Sequence, residues 1–152
     1  MENFQSQPFL APQRAPDDTW FIARHISPKT QVPYIDAVGD TGKFVGAILA
    51  EPDKYEGKTF CAATALYSFE ELAAIISKTT GKTVIYRQIS PEEFMKYPPF
   101  LPEAYVEAFG YQEEFGYFGP DSKDLVAWAA ENARGRLSTL EEYFEIHPLQ
   151  LA

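Results

Sequence analysis

One stretch decides the fold of this 152-residue chain: VPYIDAVGDTGKFVGAILA, residues 32–50. Residues 34–38 are rich in β-forming types and lie between Pro33 and Gly39, which predicts an extended segment or a strand. Asp40 is well suited to cap a helix, because its carboxylate can accept from the free N–H groups of the first turn. Apolar residues then fall on one helical face, at Phe44, Val45, Ile48 and Leu49. The stretch therefore predicts a strand, a tight polar turn and a helix.

Similar patterns predict the other strands and helices. Further strands are predicted over residues 19–26, 58–62 and 83–89. Three helices are predicted to start at capping boxes, in which a serine and the glutamate three residues later satisfy each other's end of the first turn. These boxes are Ser68–Glu71, Ser90–Glu93 and Ser138–Glu141. Gly81 is placed to end the first of these helices, and two more helices are predicted over residues 101–117 and from 121 or 122 onward.

This order of elements predicts an α+β fold, derived from an α/β arrangement. We expect a small, partly parallel sheet with helices packed on it, and a helical C-terminal half. Residues 1–18 contain three prolines and no periodicity, which predicts an irregular N-terminal arm. The remainder is within the length range of a single domain, predicted over residues 19–147 and followed by a tail at 148–152.

Composition argues against several classes of function. The net charge of -9, from 22 acidic and 13 basic residues, repels phosphate backbones and anionic membranes, so we expect neither nucleic-acid nor membrane binding. Cys61 is the only cysteine, which excludes an internal disulfide and fits a reducing compartment. With no signal-peptide pattern, the protein is expected to be cytoplasmic. His25 and His147 lack metal-ligand spacing, so no metal site is predicted.

Segments at residues 36–50, 52–58, 68–71 and 80–86 carry a family resemblance. They are similar to an Asp-x-Gly-Lys-Phe-Val segment that opens a helix, and to Pro-x-x-Tyr-x-Gly-Lys and Thr-Gly-Lys-x-Val-x-Tyr segments that lead into strands. Together they resemble the NmrA-like family, atypical relatives of the short-chain dehydrogenases and reductases with a Rossmann fold. The resemblance runs from Met1 to about His147.

The family resemblance covers only the C-terminal, substrate-side half of such proteins. The family's nucleotide-binding half has a glycine-rich turn, whereas Gly39 and Gly42 lack the Gly-x-Gly-x-x-Gly spacing. Asp40 would also repel a pyrophosphate, so no cofactor is expected. A domain without its nucleotide-binding half should leave a sheet edge and apolar surface uncovered. A two-fold partner commonly covers such surfaces, and we therefore expect a homodimer.

The function expected first is a cofactor-independent isomerase or cyclase of secondary metabolism, acting on an apolar, oxygenated small molecule. Such chemistry needs an aromatic-lined pocket and one or two acid/base groups. The candidate catalytic residues are Asp36, Asp40 and His25. The candidate substrate-binding residues are Trp20, Tyr34, Phe4, Tyr67 and Phe118. Helix capping is the structural alternative for Asp40, a turn or ion-pair role for Asp36, and a place at the core edge for His25.

Two other functions fit the same sequence. One is a non-catalytic, ligand-sensing or protein-binding regulatory module, whose acidic surface would suit a basic partner. The other is a fragment of a longer NAD(P)-binding, reductase-like protein. An apolar pocket with an acid/base group facing inward would favour the enzyme, whereas a filled core with an exposed aromatic patch would favour the module.

Overall fold

The computed structural model describes residues 1–7 and 9–151, which form five strands and eight helices. The strands are β1 (Gln13–Arg14), β2 (Trp20–Arg24), β3 (Gln31–Tyr34), β4 (Ala65–Ser68) and β5 (Val84–Gln88). The helices are α1 (Asn3–Ser6), α2 (Ala37–Ala50), α3 (Pro52–Tyr55), α4 (Phe69–Thr80), α5 (Pro91–Phe94), α6 (Pro102–Phe115), α7 (Ser122–Asn132) and α8 (Leu140–Ile146). The C-terminal half is helical, as predicted.

The strands form two separate groups. β1, β2 and β5 lie side by side, with β1 antiparallel and β5 parallel to the central β2. The parallel register runs from Trp20 opposite Val84 to Arg24 opposite Gln88. β3 and β4 form a second, antiparallel pair. The prediction of an α+β fold with a small, partly parallel sheet is confirmed.

The main core lies between the sheet, α4 and α8, and it also includes both ends of the chain. Its fully buried members come from β2 and its C-terminal extension, α4 and α8: Ile22, Ile26, Leu72, Ile76, Leu140 and Phe144. Phe4 of α1 packs edge-on against Phe144, with 5.7 Å between ring centroids. Residues 1–18, predicted to be irregular, thus contain α1 and β1. In the predicted tail, Leu149 is buried in the same core.

The capping predictions for α4 are confirmed. The Ser68 hydroxyl accepts from the Glu71 N–H at 3.2 Å, and the Glu71 carboxylate accepts from the Ser68 N–H at 2.7 Å. Gly81 ends the helix in the left-handed conformation, with φ of 68°. At α5 the structure shows the hydroxyl half of the box, in which Ser90 accepts from the Glu93 N–H.

The start of α2 differs from the prediction. The extended segment is β3 at 31–34, and α2 begins directly after Asp36. The Asp36 carboxylate accepts from the Gly39 N–H at 2.8 Å, so Asp36 caps the helix and Asp40 lies inside its first turn. The prediction of Asp40 as the cap is therefore wrong by one helical turn, because both aspartates stand at positions compatible with a helix start.

Two other local predictions are wrong. Residues 58–62 do not form a strand, and the Phe60 ring packs against the rings of Tyr55 and Trp128. The strand that pairs with β3 is β4, a few residues later. The last capping box is formed by Thr139 and Glu142, one residue beyond the predicted pair. No helix in the described residues is long and apolar enough to cross a bilayer.

Candidate functional site

A cavity of about 480 Å³ lies between the N-terminal arm, β3 and α6. This volume is within the range of roughly 300–1,000 Å³ that small-molecule sites occupy. Its apolar wall includes Phe4, Leu10, Val32, Phe69 and Phe109. Its polar wall is formed by Asn3, Gln7, Arg24, Tyr34, Tyr105 and Gln112, and no carboxylate lines it among the residues that the structure describes.

Arg24, at the end of β2, is a buried charged residue at this cavity, which we call the Arg24 cavity. Only 3% of the residue is exposed. Its guanidinium donates to the carbonyl oxygens of Ala23 at 2.6 Å, Leu10 at 3.2 Å and Phe9 at 3.4 Å. The buried Nε–H has no hydrogen-bond partner within residues 1–7 and 9–151. Burial lowers the pKa of Arg24 to about 10, so the side chain remains charged at neutral pH.

The charge of Arg24 is compensated by dipoles and ring faces. The ion pairs in the described part of the chain do not include it. Its guanidinium carbon lies 5.5 Å from the ring centroid of Phe109 and 5.9 Å from that of Phe94, within the range of cation–π attraction. A buried cation without a carboxylate is costly to keep. The cavity therefore has one strongly electropositive wall.

Tyr34, at the end of β3, is a second polar residue in the lining of the Arg24 cavity. Burial raises the pKa of its phenol above the ordinary value, although the charge of Arg24 opposes that shift, so the phenol is protonated at neutral pH. The ring stacks on Phe4, with centroids 5.7 Å apart. Tyr67 packs edge-on behind it at 6.1 Å, and the Tyr67 hydroxyl accepts from the Leu140 N–H. Of the predicted binding residues, Phe4 and Tyr34 therefore line the cavity.

The two predicted catalytic aspartates are not part of the cavity lining. Asp36 is engaged as the cap of α2. Asp40 is fully buried, and its carboxylate accepts from Lys43 Nζ at 2.6 Å and from the Ser138 N–H at 2.9 Å. Lys43 Nζ also donates to the carbonyl oxygen of Arg136 at 2.6 Å. Asp40 thus ties α2 to the segment before α8.

His25 also lies outside the cavity lining, against the rings of Phe94 and Phe109. Its Nε2 is 3.0 Å from the carbonyl oxygen of Val106, which assigns the proton to Nε2 and leaves Nδ1 as a buried acceptor. Nδ1 has no partner among the described residues. Burial lowers the pKa of His25, so the ring is neutral at pH 7.

The remaining predicted binding residues have packing roles. Trp20 belongs to the main core and borders another hollow, next to the C-terminal residues 148–151. Phe118 packs on a small second cluster formed by Cys61, Ala63 and Val126. Neither side chain lines the Arg24 cavity.

The prediction missed the residue that distinguishes the site. Along β2 and its extension, Arg24 shares the alternating face of Trp20, Ile22 and Ile26, all of which are buried. A charged residue on a buried strand face was the signal that could have found it. Tyr105 and Phe109 gave no comparable signal, because the face that α6 turns to the cavity depends on how the helix docks.

The start of α2 does not fit a dinucleotide. A Cβ atom at Gly39 would lie 2.5 Å from Asp36 Oδ2, so the carboxylate already occupies the approach to the helix N-terminus. A pyrophosphate would meet a negative charge there instead of free N–H groups. The described residues also contain no group of His, Cys, Asp and Glu side chains placed to hold a metal ion.

Residues 1–144 match the sequence model of the NmrA-like family. The chain belongs to this family. It is 27% identical over 128 residues to an NmrA-like family domain-containing protein of Dictyostelium discoideum, covering 84% of this chain and 40% of that protein. It is 29% identical over 126 residues to an NmrA-like family domain-containing oxidoreductase of Aspergillus flavus, covering 74% of this chain and 37% of the relative.

Solved structures share the fold of this NmrA-like chain. The negative transcriptional regulator NmrA, in a complex with NADP, superposes with a TM-score of 0.68 at 20% identity, over 91% of this chain and 48% of that one. A nucleoside-diphosphate-sugar epimerase from Staphylococcus aureus superposes with a TM-score of 0.60 at 23% identity, over 82% and 43%. This chain spans less than half the length of each of these relatives.

Proposed function

We propose that this NmrA-like domain binds an apolar, oxygenated small molecule in the Arg24 cavity. The observation that carries the proposal is an aromatic cavity of about 480 Å³ that has the buried, charged Arg24 among its lining residues. The aromatic wall would take up the apolar body of the ligand, and the polar groups would orient its oxygen atoms.

A catalytic form of this function, a cofactor-independent isomerase or cyclase, is supported by one feature. The protonated phenol of Tyr34 and the cation of Arg24 line the same cavity. A phenol can transfer a proton to or from a reacting oxygen or carbon, and a guanidinium can stabilise the negative charge that develops. In this proposal Tyr34 takes the acid/base role first expected of Asp36, Asp40 and His25. Incubation with oxygenated apolar candidates should then give a product of unchanged mass, and Tyr34→Phe should abolish its formation.

We also propose that the domain corresponds to the substrate-side half of longer family members. Support comes from the partial cover of the relatives, which is 40% and 37% for the two proteins above. One of them is named an oxidoreductase and one solved structure holds NADP, so a longer NAD(P)-binding protein containing this domain is the alternative. In either case residues 19–147 would act as one ligand-binding domain together with the N-terminal arm, which contributes Asn3, Phe4 and Leu10 to the cavity wall.

A homodimer remains a proposal. It is supported by apolar side chains on α2 that are exposed in the single chain: Val38 at 88%, Leu49 at 75% and Val45 at 46%. Burying such residues against a second copy would remove apolar area from water. Light scattering after size exclusion at micromolar concentration should give twice the chain mass, with Leu49→Lys shifting it to a monomer. A monomeric mass for the unaltered chain would refute the proposal.

The binding proposal is tested with the neutral dye N-phenyl-1-naphthylamine, whose fluorescence rises in apolar sites. We expect the unaltered protein to enhance the dye signal and Ala108→Trp to suppress it. Ala108 is exposed on α6 and lines the cavity, so a tryptophan there fills the space without removing a core side chain.

The matched control is Ala127→Trp, at an exposed position of α7 that does not line the cavity. It should bind the dye as the unaltered protein does. Equal dye binding by both variants would place the dye elsewhere and overturn the proposal.

A further inference from the structure

We propose that the free edge of β5 binds an extended, acidic segment of another protein, which adds to the sheet as a short antiparallel strand. The segment would carry a glutamate or an aspartate opposite Arg87, with a small apolar residue on either side. This proposal is independent of the Arg24 cavity, because the groove beside β5 shares no lining residue with that cavity.

β5 lies at one edge of its three-stranded sheet. The Thr83 carbonyl oxygen accepts from the Trp20 N–H at 2.9 Å. The Ile89 N–H donates to the Arg24 carbonyl oxygen at 3.0 Å. In a parallel pair such bonds come from alternate residues, so the odd-numbered residues of β5 face β2. The N–H and C=O groups of residues 84, 86 and 88 therefore point away from β2.

Ser77 closes the first of these three positions. Its hydroxyl accepts from the Val84 N–H at 2.9 Å and lies 3.0 Å from the Val84 carbonyl oxygen. No hydrogen bond from residues 1–7 and 9–151 reaches the main-chain groups of Tyr86 and Gln88. Two donors and two acceptors thus remain along the edge, in the pattern that an extended chain pairs with.

A groove of about 370 Å³ runs beside these unpaired groups. Ala74 of α4 lines one side of it, and Ile85 and Gln88 line the other. Tyr86 stacks on Phe69 of α4, with centroids 5.1 Å apart, so the neighbouring Ile85 faces the opposite side of the sheet. A groove lined by both Ala74 and Ile85 therefore passes along the free edge. Both Ile85 and Gln88 are exposed, which leaves this edge open to solvent.

The local charge selects an acidic segment. Residues 72–91 contain Lys78, Lys82 and Arg87 and no acidic residue, in a chain with a net charge of -9. Lys78 pairs with Glu141, whereas the ion pairs in the described part of the chain do not include Lys82 or Arg87. Opposite charges directly across an antiparallel pair are favourable, so a carboxylate suits the position opposite Arg87.

Two carboxylates near this edge define the rest of the segment. Glu70 lines the groove on the side of α4, whereas Arg87 lies on the other face of the sheet, 4.4 Å from the Phe21 ring centroid. Residues that flank the acidic one would face Glu70, which favours uncharged side chains there. Hydrogen bonds from Thr19, and to a lesser degree the charge of Arg87, lower the pKa of Asp17, but Asp17 forms no ion pair with Arg87.

A second copy of β5 is the competing occupant. A two-fold pairing that uses all four unpaired groups sets Tyr86 opposite Gln88 of the other copy. It therefore places two Arg87 side chains directly opposite each other. Like charges at such positions are destabilising, so the edge favours a different, acidic chain over its own copy.

The test compares three capped peptides by ¹H–¹⁵N NMR titration: Thr-Val-Glu-Val-Thr, Thr-Val-Lys-Val-Thr, and the first peptide with both valine nitrogens methylated. The glutamate peptide should shift the amide signals of Tyr86 and Gln88 and bind about threefold or more tightly than the lysine peptide. Methylation removes the N–H donors that pair with the edge, so the methylated peptide should cause no such shifts.

Two pairs of variants separate charge from shape. Arg87→Glu should reverse the order of the glutamate and lysine peptides. Lys123→Glu, which changes the net charge equally at an exposed position of α7, should keep the order. Ala74→Trp should fill the groove and prevent the shifts, whereas Ala127→Trp, on exposed α7 surface outside the groove, should allow them.

Four results would each overturn the proposal. They are a glutamate peptide that leaves the Tyr86 and Gln88 signals in place, shifts that persist with the methylated peptide, an unchanged peptide order in Arg87→Glu, and equal binding by the two tryptophan variants. Signals of Tyr86 and Gln88 that move with protein concentration alone would assign the edge to a second copy and would overturn it as well.

Discussion

Replacing Asp40 with alanine should destabilise the domain strongly, although Asp40 is no longer a catalytic candidate. The side chain is fully buried, and its carboxylate accepts hydrogen bonds from Lys43 Nζ and from the Ser138 N–H. Breaking a buried ion pair costs about 3–5 kcal/mol, and a hydrogen bond to a charged group contributes about 1.5–3 kcal/mol. The Lys43 side chain is 30% exposed, so water can resolvate part of its charge. We therefore expect a loss of about 2–4 kcal/mol.

The assay is urea unfolding followed by far-ultraviolet circular dichroism. The transition midpoint should fall for Asp40→Ala with an unchanged slope, because the substitution alters stability and not the surface exposed on unfolding. Asp40→Asn keeps an acceptor for the Ser138 N–H and should lose about half as much. A double-mutant cycle with Lys43→Met should give a coupling free energy of about 0.5–3 kcal/mol.

The control for Asp40 is Asp53→Ala, at an exposed acidic position in α3. This substitution should leave the free energy of unfolding within about 0.5 kcal/mol of the unaltered protein. An Asp40→Ala variant as stable as the Asp53 control would refute the argument that the buried pair fastens α2 to the segment before α8.

Three further predictions concern other elements. Ser68→Ala should lower the free energy of unfolding by about 1 kcal/mol in the same urea assay, because it removes the hydroxyl that caps α4. Gly116→Ala should cost more than about 2 kcal/mol, because φ is 79° and its Cβ would collide with the Gly119 carbonyl oxygen. The control is Gly57→Ala, at a position with φ of 69° and open space around it, which should cost about 1 kcal/mol. Equal melting temperatures for Gly116→Ala and Gly57→Ala would contradict the predicted collision. Burial lowers the pKa of His25, so below pH about 6.5 the unfolded state binds a proton that the folded state does not. The free energy of unfolding should therefore fall as the pH drops through that value. His25→Asn should flatten this pH dependence in unfolding curves recorded from pH about 5 to 8.

Features determined within one helical turn could be predicted from the sequence. The box at Ser68 and the left-handed Gly81 depend only on neighbouring residues, and both are confirmed. The choice between Asp36 and Asp40 as the cap depends on where β3 ends, and β3 ends where its pairing with β4 does. Pairing with a strand some thirty residues later in the chain therefore determines that Asp36, and not Asp40, caps α2.

The cavity could be predicted only in part, because its walls come from distant segments. Phe4 and Tyr34 were expected in a pocket because aromatic residues are common there, and both line the Arg24 cavity. Asp36 and Asp40 were candidate catalytic residues with structural alternatives, and in the structure backbone N–H groups and Lys43 bind their carboxylates. Sequence spacing does not reveal which polar groups the folded backbone will use itself.

The contact between α1 and α8 has a consequence for how the domain folds. Phe4 of α1 packs on Phe144 of α8, and the Gln5 side chain donates to the carbonyl oxygen of His147 across 142 positions. Closing so long a loop comes late and slows folding. The apolar face of α1 therefore stays exposed to water until α8 has docked, and during that time it is open to non-native apolar contacts.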